Sequence, residues 1–299
     1  MKILVNDGMT EAGMEMLRQA GHEVFNTTIP QDDLNGGRIA EFNAIVVRSA
    51  TKVREVMIDA GIPNLKAIVR GGVGVDNIDV AYAESKGVKV MNTPAASSAS
   101  VAEMALGHMF ALSRFIIAAN LTMRQTQWNK KQYKGVELAG KTLGILGIGR
   151  IGQALAMKAI ALGMTVIAYD PYVKSVDLDV ELMSKDEVLA KADYLSLHIP
   201  VDPAGPVIGA DELAKMKDGA YLINCARGGT VDESALLDAL NSGKLSGAGV
   251  DVFVGEPNPN ADLVNHPKVS VTPHIGASTK EAQARIGTEV ANLLIGFFK

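Results

Sequence analysis

The chain has 299 residues, of which 47% are hydrophobic and 21% charged, with a formal net charge of −4. Such a length exceeds the roughly 100–200 residues of one ordinary domain and predicts two domains with a cleft, while the apolar content argues against long disorder. Lysines and arginines are interspersed with acids and no apolar run approaches the about 18 residues of a membrane span, so neither nucleic acid nor a membrane is an expected partner.

The amino terminus, MKILVNDGMT, enters a strand-like run without a charged leader and cleavable apolar stretch, which predicts a soluble cytoplasmic protein. MKILVN, HEVFNT, AIVVRS, KAIVRGG and VKVMNT read as strands. TEAGMEMLRQAG, TKVREVMIDAG and NIDVAYAESKG between them read as helices stopping at glycine. Strands alternating with helices mean a parallel sheet, and Met14 and Leu17 make the stripe that should face it.

Pro94 ends the last of these strands, and NTPAASSAS starts one long helical pattern through VAEMALGHMFALSRFIIAANLTMRQTQW. It is apolar on more than one face, which fits burial between domains or against a second subunit, and a homodimer through residues 98–126 is expected. From Lys141 a second alternation supplies six strands, TLGILG, TVIAYD, YLSLHI, YLINCA, GAGVDV and VSVTPH, with helices such as VDESALLDALNSG between them. Six strands suit a doubly wound sheet. The final helix, TKEAQARIGTEVANLLIGFFK, is placed to return to the first domain.

LGILGIGRIGQALA puts Gly147, Gly149 and Gly152 between a strand and a helix, the context in which a GxGxxG pattern binds a dinucleotide. The first glycine permits the tight turn, the second lets a pyrophosphate approach the backbone, and the third allows close helix packing. Asp170 ends the next strand near the about 20-residue offset of an acid that hydrogen-bonds the adenine ribose. With Pro171 and Tyr172 rather than an arginine after it, NAD is favoured over NADP. His198 ends another strand and lines either the cofactor crevice or the core.

Three further strand ends carry one capable side chain each: Arg227 in NCARGG, Glu256 in DVFVGEP and His274 in TPHIGAST. Oxidising a 2-hydroxy acid needs a group that takes the hydroxyl proton as hydride leaves, and histidine suits that task near neutral pH. A carboxylate partner fixes the imidazole tautomer and stabilises its cation, and arginine offers a planar, permanently charged fork for the substrate carboxylate. Taken singly, His274 at a strand–helix junction, a solvated Glu256 and an ion-paired Arg227 are each ordinary. The single cysteine, Cys225, excludes an internal disulfide; within an apolar strand it reads as a small buried residue rather than a nucleophile. No cluster at metal-ligand spacing occurs, so no metal is expected.

With these residues in view, the chain resembles the D-isomer-specific 2-hydroxyacid dehydrogenase family over essentially its full length. The segments RSATKV, GGVGVDNIDVA, MNTPAASSASVAE, KTLGILGIGRIG, INCARGG, DVFVGEP and TPHIGASTKEAQ carry the resemblance in order, and look most like the phosphoglycerate-oxidising branch. The resemblance implies two doubly wound parallel-sheet α/β domains, a Rossmann NAD-binding domain at 97–277 inserted in a flavodoxin-like substrate domain formed by 1–96 and 278–299. It implies that Arg227 binds substrate, that Glu256 supports His274 and that His274 is the acid–base. Cofactor contacts carry over to Arg150, Ile151, Asp170, Cys225, Ala226, Asp251, Gly276 and Ala277. The substrate loop, whose amides receive the carboxylate, carries over to Gly72, Val73, Gly74 and Val75, and Arg48 and Lys130 are the candidate phosphate ligands.

The implied reaction is NAD-dependent oxidation of 3-phospho-D-glycerate to 3-phosphohydroxypyruvate, at the entry to serine biosynthesis. A hydroxypyruvate or glyoxylate reductase, or an NAD-sensing corepressor of the same fold, are the alternatives. There is one departure: the stretch after His198, IPVDPAGPVIG, has none of the threonines the family usually places there; the regulatory C-terminal domain of larger relatives is not expected in this chain.

Overall fold

In the computed structural model, which describes residues 1–299, contacts divide the chain into two units, Met1–Ser97 with Ala277–Lys299, and Ser98–Gly276. The first unit runs β1 (Lys2–Val5), α1 (Glu11–Gln19), β2 (Glu23–Asn26), α2 (Gln31–Asn35), β3 (Ala44–Val47), α3 (Glu55–Gly61), β4 (Ala67–Arg70), α4 (Val80–Ser85) and β5 (Lys89–Asn92). Its five strands are parallel in the order β2-β1-β3-β4-β5. A parallel sheet is covered on both faces, so its inner strands read as unbroken apolar runs, and all of Ala44–Val47 is buried. Alternate residues serve opposite layers: Ile3, Val5, Val46 and Val69 pack with Met14 and Leu17 of α1, while Leu4, Ile45, Val47 and Ile68 pack with Leu34, Met57 and Ile58. The single turn of α2, held by one buried leucine, Leu34, is too short to leave a periodic signal and was not anticipated.

The second unit runs α5 (Ser98–Ser113), α6 (Ile116–Arg124), β6 (Thr142–Leu146), α7 (Arg150–Ala161), β7 (Thr165–Tyr169), β8 (Glu181–Leu182), α8 (Lys185–Lys191), β9 (Tyr194–Leu197), α9 (Ala210–Lys215), β10 (Ala220–Asn224), α10 (Glu233–Asn241), β11 (Leu245–Val250), α11 (Ala261–Val264) and β12 (Val269–Val271). The parallel sheet has the order β12-β11-β10-β9-β6-β7-β8. Its seventh strand, the two-residue β8 at the edge, is too short for a sequence pattern. The order reverses between β6 and β9, the switch point at which open α/β sheets hold ligands beyond their strand ends.

The long helix expected after Pro94 is two helices bent by 62°. The break has a local cause. The Ser113 carbonyl, which a continuing helix would use, accepts the Val136 amide at 3.0 Å, the Ser113 hydroxyl bonds the Met109 carbonyl at 2.6 Å and the Tyr194 hydroxyl at 2.7 Å, and Phe115 takes a left-handed φ of 53°. Val101, Ala102, Ala105 and Met109 of α5 enter the second unit's core, whereas α6 buries no residue. No single helix is long and apolar enough to cross a membrane.

The chain then supplies α12 (Lys280–Phe297) to the first unit, where Ile286, Val290, Ala291 and Leu294 pack with Met14 and Leu17. The helices α1 and α12 cross closely because a Cβ at Gly13 would stand 2.6 Å from the Gly287 carbonyl oxygen.

Candidate active site

The glycine loop is the first candidate to take shape, at the switch point of the second unit. Gly147 has φ 92°, and a Cβ there would stand 2.5 Å from the His198 carbonyl oxygen, so only glycine lets β6 and β9 end side by side. Around a Cβ placed on Gly149 there is open space, and Arg150 and Ile151 open α7 directly after it. The loop is fastened by Asp170, whose carboxylate accepts the Ile148 amide at 3.0 Å and the Tyr172 and Val173 amides at 2.9 and 3.1 Å.

A second cluster forms where β10, β11 and β12 end. His274 Nδ1 lies 2.8 Å from Glu256 Oε2, and Glu256 Oε1 accepts the Phe253 amide at 2.9 Å. A carboxylate has no proton to donate, so the shared hydrogen sits on Nδ1, and in the neutral ring Nε2 then keeps a free lone pair. Both side chains are about one-third accessible, 37% for His274 and 35% for Glu256. Burial works to raise the Glu256 carboxyl, but the bond to His274, the Phe253 amide and the charges of His274 and Arg227 outweigh it and hold it below the usual glutamate range. His274 itself has φ 53°, a backbone conformation its turn must enforce.

Arg227 follows β10, and its turn is braced by Asn224. The Asn224 side chain donates to the Arg227 carbonyl at 3.1 Å and to the Thr230 hydroxyl at 3.0 Å, and it accepts the Ala226 amide at 3.1 Å. Gly228 allows this loop to lie against the one leading to Glu256, since a Cβ there would overlap the Phe253 backbone. Cys225 is 6% exposed and burial pushes its thiol up, which fits a core residue rather than a nucleophile. Asp251, 1% exposed, spends its carboxylate within the protein: Oδ1 accepts the Thr272 hydroxyl at 2.5 Å and the Ile275 amide at 2.8 Å, and Oδ2 accepts the Gly276 amide at 2.8 Å.

Residues 106–276 match the family described as "D-isomer specific 2-hydroxyacid dehydrogenase, NAD binding domain". The chain belongs to this family. A hydroxypyruvate reductase of Thermotoga maritima is 46% identical over 294 residues, covering 97% of this chain and 95% of that protein. A D-3-phosphoglycerate dehydrogenase of Methanocaldococcus jannaschii is 44% identical over 295 residues, covering 97% of this chain and 56% of that one; the chain spans about half the length of the phosphoglycerate dehydrogenases it matches. Among solved structures, the D-lactate dehydrogenase of Aquifex aeolicus in complex with NAD and lactic acid aligns with a TM-score of 0.85 at 31% identity, covering 99% of this chain and 95% of that one.

For a D-2-hydroxyacid dehydrogenase with an NAD-binding domain, the glycine loop fits its cofactor. The open space at Gly149 admits a pyrophosphate and the 12-residue α7 points its first amides there. His198 adds an unpartnered polar atom: its Nε2 lies 3.0 Å from the Ser196 hydroxyl, its buried Nδ1 has no partner, and burial pushes its ring down to about 4.

Lys130 is exposed in a 3-10 turn, Lys130–Gln132, of the second unit. Ala277 begins the chain's return to the first unit and its carbonyl accepts the Gln283 side chain at 2.8 Å. In the first unit, Arg48 and the Gly72–Val75 loop follow β3 and β4. The Asp7 carboxylate holds the Arg48 amide at 2.7 Å and the Thr51 amide at 3.1 Å, the Asn77 amide group donates to the Arg48 and Thr51 carbonyls at 3.0 and 2.7 Å, and the Asn92 side chain donates to the Val73 carbonyl at 2.5 Å.

Asn224, Gly228, Thr272 and Asp7 were not singled out from the sequence. A polar residue closing an apolar strand, as Asn224 and Thr272 do, is the one signal that pointed to any of them.

Proposed function

We propose that the protein oxidises 3-phospho-D-glycerate to 3-phosphohydroxypyruvate, with His274 as the acid–base, Glu256 as its orienting carboxylate and Arg227 as the ligand of the substrate carboxylate. The observation that carries the reading is the 2.8 Å bond from His274 Nδ1 to Glu256, a carboxylate that also feels the charge of Arg227, which leaves Nε2 as the proton acceptor. NAD, when bound, supplies the acceptor for the hydride that leaves C2. His274 Nε2 takes the C2 hydroxyl proton, and the imidazolium so formed is stabilised by Glu256. Arg227 fixes the carboxylate and the developing carbonyl so that the C2 hydroxyl meets Nε2. In the reverse direction His274 returns the proton to the carbonyl oxygen. The glycine loop with Arg150, Ile151, Asp170, His198, Cys225, Ala226, Asp251, Gly276 and Ala277 is assigned to the cofactor, the Gly72–Val75 amides to the substrate carboxylate, and Arg48 and Lys130 to the phosphate.

A second reading, reduction of hydroxypyruvate without a phosphate, is favoured by the near full-length match to the Thermotoga protein of that name. NADH absorbance on mixing the protein with NAD and a panel of D-2-hydroxy acids, phosphorylated and not, separates the two. His274→Ala should lower turnover by about 10²–10⁴-fold while NAD still binds, and unchanged turnover would refute the role of His274.

A cytoplasmic homodimer is part of the proposal. Ile116, Ile117, Leu121 and Met123 leave an apolar surface along α6, and light scattering of Ile117→Glu against the parent chain tests whether it joins two copies.

A further inference from the structure

A buried histidine on α5 has no place in the reaction above. His108 is 2% exposed, with Nδ1 2.9 Å from the Ser270 hydroxyl and Nε2 3.1 Å from the Thr272 hydroxyl. Room for it is made by Gly249, where a Cβ would stand 2.5 Å from the His108 Cβ. Burial pushes the ring below the ordinary histidine value against the opposing charge of Asp251, so it is neutral and carries one proton.

The hydrogen-bond chain then has a single direction. The Thr272 hydroxyl, 2.5 Å from Asp251 Oδ1, gives its one hydrogen to that carboxylate. It is left only as an acceptor toward His108, so the ring proton is on Nε2. His108 Nδ1 is therefore an acceptor and the Ser270 hydroxyl donates to it. The series Ser270, His108, Thr272, Asp251 ends on the carboxylate that also receives the Ile275 and Gly276 amides. Those amides directly follow His274, whose left-handed φ of 53° needs an external hold. The Thr272 carbonyl accepts the His274 amide at 3.0 Å, so both sides of the turn converge on this chain of bonds.

We infer that His108 is a positioning residue for His274: through Thr272 it fixes the Asp251 carboxylate, which clamps the 274–276 turn and so aims the imidazole. The inference rests on the reading of His274 as the acid–base, and its test includes a measurement independent of turnover. His108→Leu removes the ring nitrogens, His108→Gln keeps an amide that reaches Thr272 as a donor, and Thr272→Val cuts the link outside the helix.

In His108→Leu, hydrogen exchange of the Ile275 and Gly276 amides should accelerate at least tenfold while amides of β6 and β9 keep their rates. In His108→Gln most of the protection should return. Turnover of the best hydroxy acid found with NAD should fall by about fivefold to the hundredfold that an ångström of misplacement costs. The double variant His108→Leu/Thr272→Val should be no slower than Thr272→Val alone, because both break one chain. Unchanged exchange at 275 and 276, a glutamine variant as impaired as the leucine one, or losses that multiply in the double variant would each overturn the role of His108. If instead exchange responds as stated while His274→Ala leaves turnover intact, the clamp stands and the acid–base reading of His274 fails.

Discussion

Gly228→Ala tests the joint between Arg227 and the Glu256–His274 pair. The added methyl would overlap the Phe253 carbonyl and crowd the Val254 amide nitrogen at 2.9 Å, both of them backbone. Cβ atoms essentially never come within 3.0 Å of such neighbours, and no side-chain rotation relieves the overlap. The loop carrying Arg227 and the loop leading to Glu256 must part by roughly an ångström. Overpacking of this kind costs about 1–3 kcal/mol of stability, while an ångström of misplacement between groups that act together costs up to about 10²-fold in rate. Glu256 Oε1 is tied to the amide of the same Phe253, so the displacement passes to the carboxylate and from it to His274. Steady-state kinetics with NAD and the best hydroxy acid should show kcat/KM down about 10²-fold, calorimetry should show NAD affinity unchanged, and a thermal melt should show a lower but still cooperative transition. Parental kinetics in a folded variant would refute the close approach of the two loops.

Asp170→Ala removes the carboxylate that accepts the Ile148, Tyr172 and Val173 amides, so the glycine loop loosens and the NAD dissociation constant should rise at least about tenfold by calorimetry, since bonds to a charged group are worth about 1.5–3 kcal/mol. Cys225 is 6% exposed with its thiol pushed up, so a thiol-reactive dye should label the folded chain far more slowly than the same chain in denaturant. His198 is held near 4 against 6.5 for a free histidine. The unfolded chain therefore takes up the proton first, and stability should fall as pH drops from about 6.5 toward 4. Urea midpoints compared at pH 7 and pH 5 should converge in His198→Asn; an undiminished difference would place the acid sensitivity elsewhere.

The parallel strands were legible because two-sided burial demands continuous apolar runs, as in Ala44–Val47, and the glycine loop because its spacing is dictated by a backbone turn that any dinucleotide site must make. Apart from α2 and β8, which are too short to leave a pattern, the features that escaped depend on partners distant in the chain. Nothing near Ser113 signals a helix break, because the groups that take its carbonyl and hydroxyl are Val136 and Tyr194, the latter 81 positions away. His108 and Thr272 stand 164 positions apart, and each alone reads as an ordinary polar residue, the one inside an apolar helix and the other closing an apolar strand. Asp170 and Asp251 each bond backbone amides that shape the site, a use that neither spacing nor resemblance foresees.

In the proposed reaction the acid–base pair and Arg227 act on the C2 hydroxyl and the carboxylate, which every 2-hydroxy acid shares, so they have no means of preferring 3-phospho-D-glycerate over D-glycerate. Only a cation that reaches the far end of the substrate can do so. Arg48 is the candidate whose backbone is most firmly held, its amide by Asp7 at 2.7 Å and its carbonyl by Asn77 at 3.0 Å, and a guanidinium suits a phosphate dianion as a two-pronged donor. Arg48→Met keeps a chain of similar reach and removes the charge. If the proposed substrate is right, kcat/KM for the phosphorylated acid should fall by about 10–100-fold, the worth of about 1.5–3 kcal/mol for bonds to a charged group, and the value for D-glycerate should stay within about twofold. The phosphorylated substrate should also lose its steeper dependence on salt, because screening acts on the charge pair that the variant lacks. Equal losses for both acids would assign Arg48 to the carboxylate or to the fold instead, and would favour the hydroxypyruvate reading.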